Sequence, residues 1–193
     1  MKFDMVFDVQ KGFRKVVEAF SYPGDIVSLK DEIQYLDMDW SCYPSTILLM
    51  YMLLDTDTSF AIDSKDEKLA IQFSKMTYGK KLAMDQAAFV FVTRNHTEQL
   101  SDIIDQAYCG TLEDPHQGAT LIVECDRLLK DGSLCLSGCG ILGEKQVQVK
   151  LEDEWVEARE EKNHEFPLGI DMILTDAFGN VMALPRTTRI RKG

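Results

Sequence analysis

Arg186-Thr187-Thr188-Arg189 combines two guanidinium forks with two hydroxyls, a donor set able to hold a phosphate group. The same tetrad also suits ion pairing with some of the chain's 32 carboxylates, the threonines then merely ending a strand. Asp171 lies within the apolar run Ile170 to Thr175, so it either faces solvent on the alternating side or is a buried carboxylate that needs a partner. Arg14 and Arg186 are the candidates for that partner. Gly138-Cys139-Gly140-Ile141-Leu142-Gly143 satisfies GxGxxG literally. A dinucleotide fingerprint, however, needs its last glycine to open a helix whose amides meet the pyrophosphate. Here Gln146 to Val149 alternates as a strand, and the acids that follow, Glu160 and Glu161, fall in a helix. The segment reads instead as a tight glycine turn, close to a ligand or a partner backbone.

Other residue types carry less. The five cysteines, Cys42, Cys109, Cys125, Cys135 and Cys139, show no CxxC spacing, and the three histidines, His96, His116 and His164, are isolated, which argues against a metal site. Free buried thiols in a reducing compartment are the simpler reading. GxSxG, Walker A, HExxH and EF-hand patterns do not occur. The acids between Glu152 and Glu161 read as a solvated or partner-facing surface, since nothing apolar surrounds them to raise their pKa values.

The elements that must position these groups follow from periodicity. Ile170 to Thr175 and Val181 to Leu184 predict a hairpin turning at Phe178-Gly179-Asn180, with Pro167 stiffening its entry and Pro185 ending it. Such a hairpin delivers the basic tetrad to one place. At the other end, Asp8 is placed to cap a helix whose buried stripe is Phe13, Val16, Val17 and Phe20, broken at Ser21-Tyr22-Pro23-Gly24 before an extended piece at Ile26 to Leu29. Arg14 falls beside that stripe.

Residues 30 to 43 read as irregular, and Ser45 or Thr46 is placed to cap an apolar helix through Leu54 that belongs in the core or in a subunit interface. Ser59 to Ile62 predicts a strand, Ser64-Lys65-Asp66-Glu67 a capping box, and Leu69, Phe73 and Met76 one side of the helix it opens. Ala87 to Thr93 is a doubly buried strand, followed by a helix carrying Leu100, Ile103, Ile104 and Ala107. Ala119 to Val123 and Ser133 to Ser137 predict strands joined around Asp131-Gly132, then come a strand at Lys145 to Lys150 and a helix over Leu151 to Lys162 anchored by Trp155. A mixed sheet covered by helices, an α/β fold, accounts for this order.

Composition sets the limits. A chain of 193 residues with 45% hydrophobic content reads as one soluble domain, 1 to 193, able to bury roughly 70% of its unfolded surface. The net charge of −11 argues against a nucleic-acid partner. The apolar run Ile47 to Leu54 spans only about 12 Å as a helix, against the ~30 Å of a bilayer core, and Asp4 and Asp8 interrupt any signal-like start. No membrane partner and a cytoplasmic location are therefore expected.

The run FPLGIDMILTDAFGNVMALPRTT resembles the C-terminal motif of the PhnH family, the H subunit of the bacterial carbon–phosphorus lyase core complex. Phe13-Arg14, Ala19 to Gly24, Leu53-Leu54-Asp55 with Thr58, Gly110-Thr111, Gly118-Ala119-Thr120 and Leu136 to Ile141 match in family order, with Cys139 where many members have proline. The resemblance implies a three-layer α/β/α sandwich, similar to the large domain of pyridoxal-phosphate (PLP) dependent transferases but without PLP. It implies a homodimer that joins the other subunits of the core complex. That complex uses ATP, with magnesium, and an alkylphosphonate such as methylphosphonate to make α-D-ribose 1-alkylphosphonate 5-triphosphate and adenine. This chain is then a non-catalytic subunit that binds no cofactor itself. The alternative is a stand-alone transferase-like enzyme with its own phosphate or nucleotide pocket. A shared site or interface would be lined by Arg14, Ser21, Pro23 and Gly24, by Gly138 and Gly140, and by Asp171, Arg186 and Thr187, with no catalytic role assigned to any of them.

Overall fold

Val90, Phe91 and Val92 are all buried, so the strand they form needs cover on both faces, and the rest of the chain supplies it. The computed structural model describes residues 3–36, 40–64, 66–151 and 154–193. Its strands are β1 (Val27–Ser28), β2 (Ser59–Asp63), β3 (Lys80–Lys81), β4 (Phe89–Val92), β5 (Thr120–Cys125), β6 (Leu128–Gly138), β7 (Lys145–Val149), β8 (Asp171–Asp176), β9 (Asn180–Leu184) and β10 (Thr188–Lys192). Seven of them form a central sheet in the order β1-β9-β8-β5-β4-β2-β3, and β10-β6-β7 form a second, antiparallel sheet. In the central sheet β3, β2, β4, β5 and β8 run parallel, β9 returns antiparallel to β8, and β1 pairs antiparallel to β9. The fold is thus α/β with a mixed sheet.

Strand alternation assigns the two faces. Phe60, Phe91, Ile122, Ile173 and Val181 meet helices α1 (Phe7–Ser21), α2 (Lys30–Ile33), α3 (Pro44–Leu53) and α4 (Glu67–Thr77). Phe73 of α4 stands edge-on to Phe91, with ring centroids 5.1 Å apart. On the opposite face Val90, Leu121, Val123, Met172 and Leu174 meet α5 (Leu100–Gln106), α6 (Glu154–Lys162) and the inner side of the small sheet. That layer is therefore part helix and part sheet.

Several expectations need correction. The buried face of α1 is Gly12, Val16 and Ala19, not a stripe through Phe13 and Val17, which are 49% and 47% exposed. The cause is the close crossing with α3: a Cβ on Gly12 would meet the Met52 and Leu48 side-chain ends, which would have to shift to admit it. Asp8 does not cap this helix. Asp4 Oδ1 accepts from the Val6 and Phe7 amides, and Asp8 Oδ2 accepts from the Asp4 amide.

Pro44 starts α3 with Tyr43 as its N-cap, leaving Ser45 and Thr46 inside the helix. Ile47 to Met50 and Leu54 are buried between α1, α4 and the sheet, so the run belongs to the core and is not free for a partner. The capping role falls to Asp66, which accepts from the Lys68 amide, and Lys65 of the expected box lies outside the described residues. Within the stretch expected to be irregular, α2 forms, and residues 37–39 lie outside the described set.

Asp131-Gly132 is not a hairpin turn between two paired strands. Lys130 and Leu134 both face Val147, so the intervening residues form a bulge inside β6, with Asp131 at φ 58°. The helix expected over 151–162 is observed as α6, and residues 152 and 153 lie outside the described set. Arg159 is fully buried beside Trp155 and anchors α6 as much as the indole does.

Candidate functional site

The β8–β9 hairpin forms as its sequence requires, with Gly179 at φ 76° in the turn. It carries Asp171 at its start, and Pro185 and Arg186 follow its end. Asp171 Oδ1 accepts from the Arg186 amide at 2.7 Å, and Oδ2 accepts from Nε at 3.2 Å and Nη2 at 2.7 Å. The other donors reach the carbonyls of Pro115 (2.7 Å), Pro167 (3.4 Å) and Gly118 (3.5 Å). The guanidinium thus makes five hydrogen bonds to four acceptor oxygens, and the side chain is 12% exposed. Arg186 is a clamp that ties the 115–118 loop and Pro167 to the start of β8.

The tetrad is divided. Thr188 opens β10 opposite Gly138, and its amide closes a turn on the Pro185 carbonyl at 2.8 Å. Thr187 lies against the glycine turn, since a Cβ on Gly138 would come 2.6 Å from its carbonyl oxygen. Gly140 lies against the end of α1 in the same way, since a Cβ on it would come 2.7 Å from both Pro23 Cδ and the Ser21 carbonyl oxygen, and Gly24 backs onto Leu136. Ser21, Pro23, Gly24, Gly138, Gly140 and Thr187 therefore share one junction, with the Asp171–Arg186 clamp one residue along the chain from it. Arg14 does not join them: it is exposed on α1 and is bonded to neither Asp171 nor Arg186.

The turn has no helix after it, which removes the dinucleotide reading. Its glycines also differ in what they tolerate. Gly140→Ala adds a backbone collision to a φ of 82°, whereas Gly143, at φ 73°, has open space around it. Gly140→Ala is expected to cost well over the ~1–2 kcal/mol of a left-handed residue, and Gly143→Ala no more than that, as read from urea midpoints.

A second cluster lies at the opposite, C-terminal edge of the parallel strands. From β2 the chain crosses through α4 to the sheet edge, and from β4 it crosses on the other face through α5 to β5, so strand order reverses between β2 and β4. Open α/β sheets offer ligands a crevice at such a reversal. Asp63 ends β2 there, with Oδ2 3.1 Å from His96 Nδ1, while the buried His96 Nε2 has no partner among the described residues.

Two strands from β2, Glu124 near the end of β5 is 1% exposed. Its Oε1 accepts from the Tyr43 amide at 2.5 Å and Thr46 Oγ1 at 2.6 Å, and its Oε2 from the Arg94 amide at 3.1 Å. The first two donors belong to the N-terminal end of α3, whose dipole favours a carboxylate. The Arg94 guanidinium turns away to pair with Asp126. Glu124 also forms part of a cavity of about 280 Å³ with Trp40, Cys42, Tyr43 and Asn95, and a polar cleft of about 690 Å³ adjoins it across Arg94 and Asn95.

Burial raises the pKa of Glu124, against the pull of its Thr46, Tyr43 and Arg94 donors. Burial also raises the Cys42 thiol, helped by the neighbouring Glu124, and pushes Tyr43 up to about 12. Cys42 is thus a protonated thiol and a poor nucleophile. Because folded Glu124 holds its proton more tightly than unfolded Glu124, the folded chain binds more protons over an interval that opens near the ordinary 4.5. Its contribution to stability therefore falls as pH rises through that interval. Urea midpoints compared between about pH 4 and pH 7 are expected to drift against the wild type relative to Glu124→Gln, and parallel profiles would contradict the assignment.

Sequence reasoning missed this cluster because one acid among 32, placed after an apolar run, carries no pattern. The usable signal was its position near the C-terminal end of a doubly buried strand. Among the described residues no group of three or more His, Cys, Asp or Glu is arranged to hold a metal ion.

A family model described as bacterial phosphonate metabolism protein (PhnH) matches residues 2–191. A protein of Stutzerimonas stutzeri named as the C-P lyase subunit protein HtxG is 32% identical over 182 residues, covering 94% of this chain and 85% of that relative. The alpha-D-ribose 1-methylphosphonate 5-triphosphate synthase subunit PhnH of Rhizobium meliloti (strain 1021) is 28% identical over 202 residues, covering 98% and 93%.

Proposed function

Because the chain belongs to the PhnH family of bacterial phosphonate metabolism proteins, we propose that it acts as a subunit of a C-P lyase complex. In that complex it supports conversion of ATP and an alkylphosphonate to α-D-ribose 1-alkylphosphonate 5-triphosphate with release of adenine. It does so as a cytoplasmic homodimer with a PLP-transferase-like fold and no PLP, joined to the other core subunits. The observation that carries this reading is the reach of the family match, which spans residues 2–191 and so both sheets. Among the described residues no helix is long and apolar enough to cross a membrane.

Surface chemistry supports assembly. Val6, Phe7, Phe13 and Val17 are all exposed on or beside α1, an apolar stripe of the kind subunits bury. Phe13→Asp combined with Val17→Asp is expected to leave stability within about 1 kcal/mol, because neither side chain is in the core, while reducing co-purification with the other subunits.

The decisive experiment is growth on methylphosphonate as the phosphorus source in a strain lacking this gene, with a tagged copy supplied. Growth restored by a chain that co-purifies with the core subunits is the expected result. Turnover of ATP and methylphosphonate by the isolated chain would overturn the subunit reading. It would favour the second one, a stand-alone transferase-like enzyme, for which the cavity at Glu124 is the supporting observation.

A further inference from the structure

Glu124 is a buried carboxylate with no cationic side chain bonded to it among the described residues. Its neighbours donate three hydrogen bonds to it, whereas two carboxylate oxygens offer about four acceptor positions, so Oε2 retains one. The nearest guanidinium, that of Arg94, is spent on Asp126. Buried charges are ordinarily paired or fully bonded, and this one faces a cavity instead.

The cavity walls narrow what fits. An anion is disfavoured by the carboxylate, and a metal ion finds one carboxylate beside a protonated Cys42 thiol. Trp40 backs onto the buried Phe73, with centroids 6.0 Å apart, and with Tyr43 gives the pocket flat aromatic surface. At about 280 Å³ the pocket lies just under the ~300–1,000 Å³ typical of whole drug-sized ligands, a size suited to a ring. The adjoining polar cleft, bordered by Gln148 and Lys150, leaves room for whatever the ring carries.

We propose that the Glu124 pocket binds a flat nitrogen heterocycle bearing an exocyclic amino group. The amino group donates to Glu124 Oε2, the ring lies against Trp40, and the remainder of the ligand leads into the polar cleft past Asn95. This assignment stands on the cavity alone and does not depend on the subunit reading.

Calorimetry on the intact chain tests it with adenosine and with purine riboside, which lacks only the 6-amino group. Adenosine is expected to bind, and purine riboside at least about tenfold more weakly, because a site built to bond an N–H leaves its acceptor unpaired with the analogue. Glu124→Gln is expected to weaken adenosine by a similar factor. Asn95→Trp, at an exposed position on the rim, is expected to block it. No heat with adenosine at millimolar concentration, equal affinity for both nucleosides, or unchanged affinity in Asn95→Trp would each overturn the proposal. Where circular dichroism shows Glu124→Gln unfolded, the nucleoside pair and Asn95→Trp decide the matter.

Discussion

Arg159→Leu is expected to destabilise the chain by about 3–5 kcal/mol, lowering Tm by roughly 6–20 °C for a domain of this size. The fully buried guanidinium donates to the carbonyls of Thr188 (2.9 Å), Leu184 (3.3 Å) and Pro185 (2.7 Å) and to Glu160 Oε1 (2.7 Å). Replacing a buried ion with an apolar side chain is often neutral, since the cost of burying the charge disappears as well. That cost is real here, because burial lowers the pKa of Arg159. The three carbonyls remain after the substitution, however, and each buried acceptor left bare costs about 1–3 kcal/mol, so the loss outweighs the relief. Chemical denaturation measures the difference, and a change below about 1 kcal/mol would mean that water reaches those carbonyls.

Arg186→Ala separates two readings of the same residue. A phosphate-gripping arginine would lose function while the fold held. The five engaged donors predict the opposite order, a loss of about 2–4 kcal/mol, because Asp171 is left as a partly buried carboxylate without its cation and three loop carbonyls lose their donor. Asp171→Asn keeps one acceptor and should cost less. The double variant should fall short of the sum of the two, since both remove one interaction. A stable Arg186→Ala chain that fails only in phosphonate growth would return the residue to the ligand side.

What the sequence made legible was local. The hairpin at 171–184, the doubly buried β4 and the burial of Leu100, Ile103, Ile104 and Ala107 follow from alternation and helical spacing, which one segment carries by itself. The Asp171–Arg186 pairing was legible as a need, because a carboxylate in an apolar strand demands a partner.

What stayed hidden depends on how segments meet. α1 is rotated away from its apparent stripe because Gly12 permits a close crossing with α3, and a glycine in a helix gives no hydropathy signal. Asp131-Gly132 has turn chemistry yet sits in a bulge, since β5 and β6 belong to different sheets. Arg159 looks like one more charge on an acidic helix, and Glu124 like a strand end. Their roles arise from Thr188 and from α3, residues far away in sequence.

The place of β8 and β9 in the central sheet bears on how the molecule is made. Among the described residues β1 pairs with β9 alone, and β8 separates β9 from β5, so the central sheet is joined up by the last two of its own strands to leave the ribosome. Until residues 171–184 emerge, α1 lacks Val181 and the strand it packs on, and its 15 residues are marginal as a free helix. A nascent chain stalled before that point exposes the apolar faces of α1 and β5 together, an invitation to chaperones and proteases. Premature stop codons anywhere upstream of Asp171 should therefore yield no truncated product that accumulates, however much of the helical layer has already been synthesised.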